Sequence, residues 1–381
     1  MNTIEDRIAR IIGEYDRQGW HRTGTDVDLE SASWLAGIVR ECGAEPTRET
    51  FALDRVIPRP SYIDVGDRRI DGLPLFDSSF TETEGIRGQL GPADADPKIL
   101  LVDGSDTGSV EALEEARRSP DYTAIVFITT SAGDDAGLAP RNAPSFTEPF
   151  GPPVLQVDRI DRSWLTEQAS AGSTVAVVAR ADREPVEAAN VAAVFPGRDR
   201  SLPPLVVMTP RSGWWWIAAE RGGGIVCWLE VMMALRDSPP ERDVRFVATS
   251  GHELGHLGLE AYLDRNPGLA TEAVAWMHFG ASIGAAVKPV PRLFTSDDEL
   301  HALAVEFLQP EVPAMPESFP HDMMPGGESR NIHARGGRYV SLAGGHASFH
   351  QQIDRWPDSV DVAAVVSYAR AMTGMAMKLA G

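Results

Sequence analysis

The sequence predicts an α/β protein: a mainly parallel or mixed sheet sandwiched by helices, with a β-rich or α/β unit inserted near its N-terminal end. Three observations carry this. From residue 188 onward, almost wholly apolar runs alternate with helical patterns, as expected of strands buried on both faces. Between 56 and 187 the texture changes to short apolar runs set in turn-rich sequence. At 381 residues the chain has room for two such units.

Residues 3–17 predict a helix, with Ile4, Ile8, Ile11 and Ile12 at helical spacing. A second helix follows at 27–41, with Asp26 or Asp28 as N-cap and Gly43 as stop, and then a strand at 47–54. In the inserted unit, strands are expected at 99–103, 124–128, 153–157 and 174–179, with helical patterns at 109–118 and 158–170. The Gly/Pro/Ser-rich stretch 129–152 reads as a long loop. Beyond it, strands are expected at 190–195, 204–209, 244–249, 273–279 and 338–342, and helices at 223–236, 256–264, 297–308 and 359–379. The expected division is 1–55 with 188–381 as one domain, and 56–187 as the insert.

The formal net charge of −20 argues against a nucleic-acid binder or a protein of anionic membrane surfaces. Two cysteines, Cys42 and Cys227, are too few for a disulfide framework or a cysteine metal site. With no signal-like N-terminus and no apolar stretch of roughly 18 residues, a soluble cytoplasmic protein is expected. Eight of the nine histidines lie after residue 250, which directs attention to the C-terminal half.

In an open α/β sheet, ligands bind beyond the carboxyl ends of the strands. Pro210-Arg211-Ser212-Gly213 and Trp214 to Trp216 follow one predicted strand, and Ser250-Gly251-His252-Glu253-Leu254-Gly255-His256 follows another. His278 ends a third, and His346 and His350 follow a fourth. The string 252–256 matches the HExxH zinc motif, which belongs inside a helix. Here it follows a strand and a Ser-Gly turn, which disfavours that reading. The blander readings are a surface carboxylate for Glu220, a tight turn or an anion-holding helix start for Gly222 to Gly224, a structural role for His256, core packing for the tryptophans, and one solvated helix face for His346, His350 and Asp354.

The chain resembles the M28 zinc aminopeptidases, exopeptidases with a pair of zinc ions. RTGTDVDLESASWLAGIVRECGAEPTRETF is similar to that family's opening helices, and 56–187 to its inserted protease-associated domain. NVAAVFPGRDRSLPPLVVM resembles the return into the catalytic domain, and VRFVATSGHELGHLGLEAY the strand delivering its paired glutamates. The resemblance implies a zinc-exopeptidase fold with a rewritten site. The family's His-x-Asp falls on Arg211-Ser212-Gly213, its bridging aspartate on Glu220, and its Glu-Glu pair on His252 and Glu253. Its next aspartate falls on His278 and its terminal histidine on His350.

What the resemblance implies is a single zinc, or another divalent metal, held by Glu220, Glu253 and His350. Arg211 would stand in for the missing ion and His252 would act as general base, with His278 completing the catalytic set. Arg221, Trp214, Trp215, Trp216 and His256 would contact substrate. The expected activity is hydrolysis of an amide or peptide-type bond in a small molecule or short peptide, ordinary aminopeptidase action being disfavoured by the lost metal. A lyase or isomerase using the same groups, or a non-catalytic binding protein, are the alternatives. No nucleic-acid or membrane partner is expected, and a homo-oligomer is compatible with the sequence.

Overall fold

Thr3 opens helix α1 (Ile4–Arg17): its hydroxyl accepts from Asp6 N–H while the Asp6 carboxylate accepts from Thr3 N–H. Thr25, rather than Asp26 or Asp28, caps α2 (Asp26–Glu41), which leaves the Asp28 carboxylate free for a buried ion pair. These elements, and all below, come from a computed structural model that describes residues 3–133 and 136–381.

Strand β1 (Thr47–Pro58) leads into β2 (Tyr62–Val65), β3 (Arg68–Pro74), β4 (Ile86–Gly91), β5 (Ile99–Asp103), β6 (Ala124–Ile128), β7 (Val154–Val157) and β8 (Thr174–Val178). β2 to β8 close into a barrel filled by Ile63, Leu90, Val126, Leu155 and Val177, all buried. Helices α3 (Ser109–Arg118) and α4 (Arg162–Ser170) complete this unit. The chain returns along β9 (Ala181–Phe195), which pairs antiparallel with β1 from Thr47↔Ala192 to Pro58↔Ala181. This ribbon moves the seam inward of the expected limits. Its ladder carries 47–58 and 181–195 into the main sheet, so the barrel strands span only 62–178.

The remainder comprises β10 (Leu205–Pro210), α5 (Ala218–Asp237), β11 (Val244–Thr249), α6 (Leu257–Arg265), α7 (Leu269–Glu272), β12 (Ala275–Phe279), β13 (Val290–Thr295), α8 (Asp298–Leu308), β14 (Glu317–Ser318), α9 (Ser329–Ala334), β15 (Tyr339–Gly345) and α10 (Val362–Ala380). The main sheet has eight strands in the order β1-β9-β11-β10-β12-β15-β13-β14. β11, β10, β12 and β15 run parallel at its centre, and antiparallel strands flank them. Every residue of β10 and β12 is buried, as their apolar runs predict. One face packs on α1, α2, α5, α8 and α10, the other on α6, α7 and α9. β13, β14 and α9 lack a clear periodic signal, and the sequence reading does not anticipate them.

Gly222, Gly223 and Gly224 form neither a turn nor an anion cradle. They lie inside α5, where added Cβ atoms would press on Ile12, the Ile283 carbonyl and the Phe279 carbonyl. Their absence lets α5 lie close against the chain beyond β12. Barrel and sheet meet through a separate apolar cluster that includes Phe76 and Phe146 from the barrel side and Trp214, Trp215 and Leu254 from the sheet side.

Candidate metal and substrate site

A cavity of about 980 Å³ opens beyond the carboxyl ends of β11 and β15 and is roofed by the barrel-loop residues 130–132 and 139–142. The roof is tied down by hydrogen bonds. Ala143 N–H donates to the Glu253 carbonyl, Gly133 N–H to the Ala347 carbonyl, and Trp214 Nε1–H to Asn142 Oδ1.

After β11 the chain makes a 3₁₀ turn over His252–Leu254, then passes through Gly255 and His256 in left-handed conformation before α6 begins. This is not the helix that HExxH requires. The turn nevertheless brings the His252 and His256 rings to 5.1 Å between centroids. Glu328, at the start of α9, lies against them, with both carboxylate oxygens 3.0 Å from His252 Nδ1. Donor atoms of His252, His256 and Glu328 all lie within 4.8 Å of one another, and no other such trio of His, Cys, Asp or Glu occurs among the described residues. Two imidazoles and a carboxylate are an accepted zinc donor set that leaves a position open. Asn331 Oδ1, 2.7 Å from His256 Nδ1, fixes that ring and leaves its Nε2 available. His278 adds a second contact to Glu328 at 3.4 Å and is itself oriented by Ser341 Oγ.

Electrostatics favour the forms that bind a cation. Burial, with the charge of Arg221 adding to it, pulls His252 down to about 3, so its imidazole is neutral at pH 7. Burial alone would raise Glu328, but the pull of His252 and His256 toward its ionised form, with the hydrogen bonds from His252 and His278, outweighs it and holds it well below the usual carboxylate range.

The residues expected to hold the metal are arranged otherwise. Glu253 is fully buried and its two oxygens are occupied, Oε1 by Thr23 N–H at 2.7 Å and Oε2 by Ser212 Oγ–H at 2.8 Å. Glu220 lies 2.8 Å from Arg221 Nη2 and 3.7 Å from His350 Nε2. Glu220, Glu253 and His350 therefore do not converge as donors. Nor does Arg211 stand in for an ion. Its guanidinium turns the other way, pairing with Asp28 at 2.7 Å and donating to the Asp28 and Ala189 carbonyls. The buried cation beside Glu220 is Arg221, held through Nε by the Ser212 carbonyl. His252, expected as general base, and His256, expected as a substrate contact, are the two histidines of this trio.

His350 keeps a place at the cavity. Its Nδ1 donates to the Pro140 carbonyl at 2.7 Å, which leaves Nε2 unprotonated and aimed at Glu220. Burial also lowers its pKa. His346, His350 and Asp354 do not share a solvated helix face: His346 and Asp354 are buried, and the Asp354 carboxylate accepts from Ala219 and Glu220 N–H to cap α5. None of the three tryptophans lines this cavity. Trp214 and Trp215 are core, Trp215 holding the His350 carbonyl, and Trp216 lies under Arg355 beside a separate shallow cleft.

Glu328 escaped the sequence reading for a physical reason. It sits 76 residues from His252 in an aperiodic segment, preceded only by the turn signal Gly326-Gly327. Nothing local marks it.

Comparison with known proteins agrees with the architecture. No protein-family model matches the chain. It is similar to the aminopeptidase from Aneurinibacillus sp. strain AM-1 (TM-score 0.74, 13% identity, covering 99% of this chain and 93% of that one). It is similar also to a peptidase M28 precursor from Shewanella amazonensis SB2B (0.73, 15%, 99% and 96%) and to the zinc aminopeptidase BSAP from Bacillus subtilis (0.72, 16%, 96% and 93%). In sequence it is 25% identical over 255 residues to aminopeptidase YwaD of Bacillus subtilis strain 168, a match covering 63% of this chain and about half, 53%, of that protein. No helix among the described residues is long and apolar enough to cross a membrane. In architecture, then, this chain resembles the zinc aminopeptidases and M28 peptidase among these structures.

Proposed function

We propose that the protein is a single-metal hydrolase of an amide or peptide-type bond in a small molecule or short peptide. The observation that carries this is the His252–His256–Glu328 trio, whose two histidines line the cavity. The presence of a zinc aminopeptidase among its structural relatives supports it. A zinc ion held by these three would lower the pKa of a bound water and polarise an amide carbonyl.

This chain's own residues do the rest. Asn331 and Ser341 fix the His256 and His278 rings. His350, neutral and held by the Pro140 carbonyl, has Nε2 free to take a proton and pass it to the leaving nitrogen. Arg221 supplies a fixed positive charge beside Glu220 in place of a second ion. The barrel-loop residues 139–142 overhang the site. We read the barrel that carries it as a protease-associated-like insert.

The test is metal analysis of purified wild type, His256→Asn, Glu328→Gln and Glu253→Gln, with an amide panel run with and without EDTA. The expected result is about one zinc per chain in wild type and Glu253→Gln, loss in the other two, and EDTA-sensitive turnover. Wild-type protein without metal would favour a binding protein, and proton abstraction beside a carbonyl without amide cleavage would favour a lyase or isomerase. Retention of zinc by Glu328→Gln would refute the donor set.

A further inference from the structure

The cavity wall opposes the charge of the molecule around it. The chain carries 55 acidic against 35 basic residues. Its cavity wall nevertheless presents four guanidiniums, from Arg141, Arg292, Arg330 and Arg335, and a single carboxylate, Glu260. That carboxylate is already used, by Arg335 Nη2 at 2.6 Å and by Asn331 Nδ2. Arg141, Arg292 and Arg330 meet no carboxylate within ion-pair distance among the described residues, in a protein with acids to spare.

The three come from different elements: the barrel loop, β13 and the first turn of α9. Arg141 is the most telling. Its backbone N–H is fixed by Gln156 Oε1 at 2.7 Å, and its guanidinium lies 5.5 Å from the Phe127 ring centroid. It is half-buried, and burial pulls it below the usual guanidinium range. A partly desolvated cation held in no ion pair, on which the Glu114 and Asp77 carboxylates act only from a distance, is unfavourable unless an anion completes it. A carboxylate matches the planar guanidinium fork in geometry and charge.

We propose that the cavity takes a substrate bearing a free carboxylate, gripped by Arg141 with Arg292 and Arg330. Resting on the hydrolase reading above, the scissile amide then faces His252, His256 and Glu328, and the barrel insert sets specificity through Arg141.

The test is calorimetric titration of glutarate, which has no scissile bond, against its uncharged diamide and against inorganic phosphate. The proteins are wild type, Arg141→Gln, Arg292→Gln and Arg330→Gln, with metal content checked as unchanged. Glutarate is expected to bind at least tenfold tighter than the diamide or phosphate, to weaken as salt rises, and to lose roughly tenfold to a hundredfold in each variant. Equal binding of glutarate and diamide, no effect of the substitutions, or phosphate binding as tight as glutarate would overturn the proposal. The hydrolysis panel separates the two readings. Turnover of neutral and carboxylate-bearing amides at equal kcat/KM sinks the anion site and leaves the hydrolase, whereas glutarate binding without turnover of any amide sinks the hydrolase and leaves the anion site.

Discussion

Replacing Arg211 with Met separates a structural guanidinium from a catalytic one. Arg211 and Asp28 are both fully buried, and Arg211 Nη1 reaches Asp28 Oδ1 at 2.7 Å and the Asp28 carbonyl at 2.8 Å. In Arg211→Met the Asp28 carboxylate keeps hydrogen bonds from Gly24 N–H and Ser250 Oγ–H but loses the one cation paired with it among the described residues. Leaving one buried charge unpaired costs about 3–5 kcal/mol, from about a fifth upward of the stability of a typical protein at ~5–15 kcal/mol. Arg211→Met should therefore unfold at markedly lower urea, monitored by tryptophan fluorescence. The double variant Asp28→Asn/Arg211→Met removes both charges and should recover much of that loss, giving a coupling energy of about 2 kcal/mol or more. Metal content of the folded fraction should match wild type. An Arg211→Met protein within about 1 kcal/mol of wild type, but stripped of metal or turnover, would refute the structural role and restore Arg211 to the reaction.

Two glycines in helices should respond oppositely to alanine. Gly223→Ala drives a methyl into the Ile283 carbonyl and should destabilise by ~3 kcal/mol, whereas Gly37→Ala in α2 meets nothing within 4 Å and should stabilise by up to ~1 kcal/mol; urea midpoints moving the same way would contradict the packing described. His21 is fully buried against Tyr15, and burial, opposed by its hydrogen bond to the Tyr15 carbonyl, lowers it from 6.5 to about 3. Below pH 6.5 the unfolded chain takes up this proton and the native state does not, so stability falls with pH down to about 3, approaching ~1.4 kcal/mol per pH unit. His21→Gln should make the plot of unfolding free energy against pH shallower between 6.5 and 4.5 by about that slope; an unchanged slope would remove His21 as a source of acid sensitivity.

Hydrophobic patterning alone places the strands and the rim at their carboxyl ends. The apolar runs that became β10, β11 and β12 have no other way to hide both faces than a covered sheet, and parallel strands deliver the residues at their carboxyl ends to one edge. His252, His256, His278 and His350 were legible for that reason. Which of them turn toward one another was not. Asp28 claims Arg211, Thr23 and Ser212 claim Glu253, and Arg221 claims Glu220, mostly through contacts between segments far apart in the chain. Only the tertiary structure brought Glu328 from an aperiodic segment onto two imidazoles, and Arg141 from an inserted barrel over the same cavity. Periodicity encodes which face of an element is buried. It carries no information about the partner a buried charge finds, because that choice is settled by desolvation once the segments have packed.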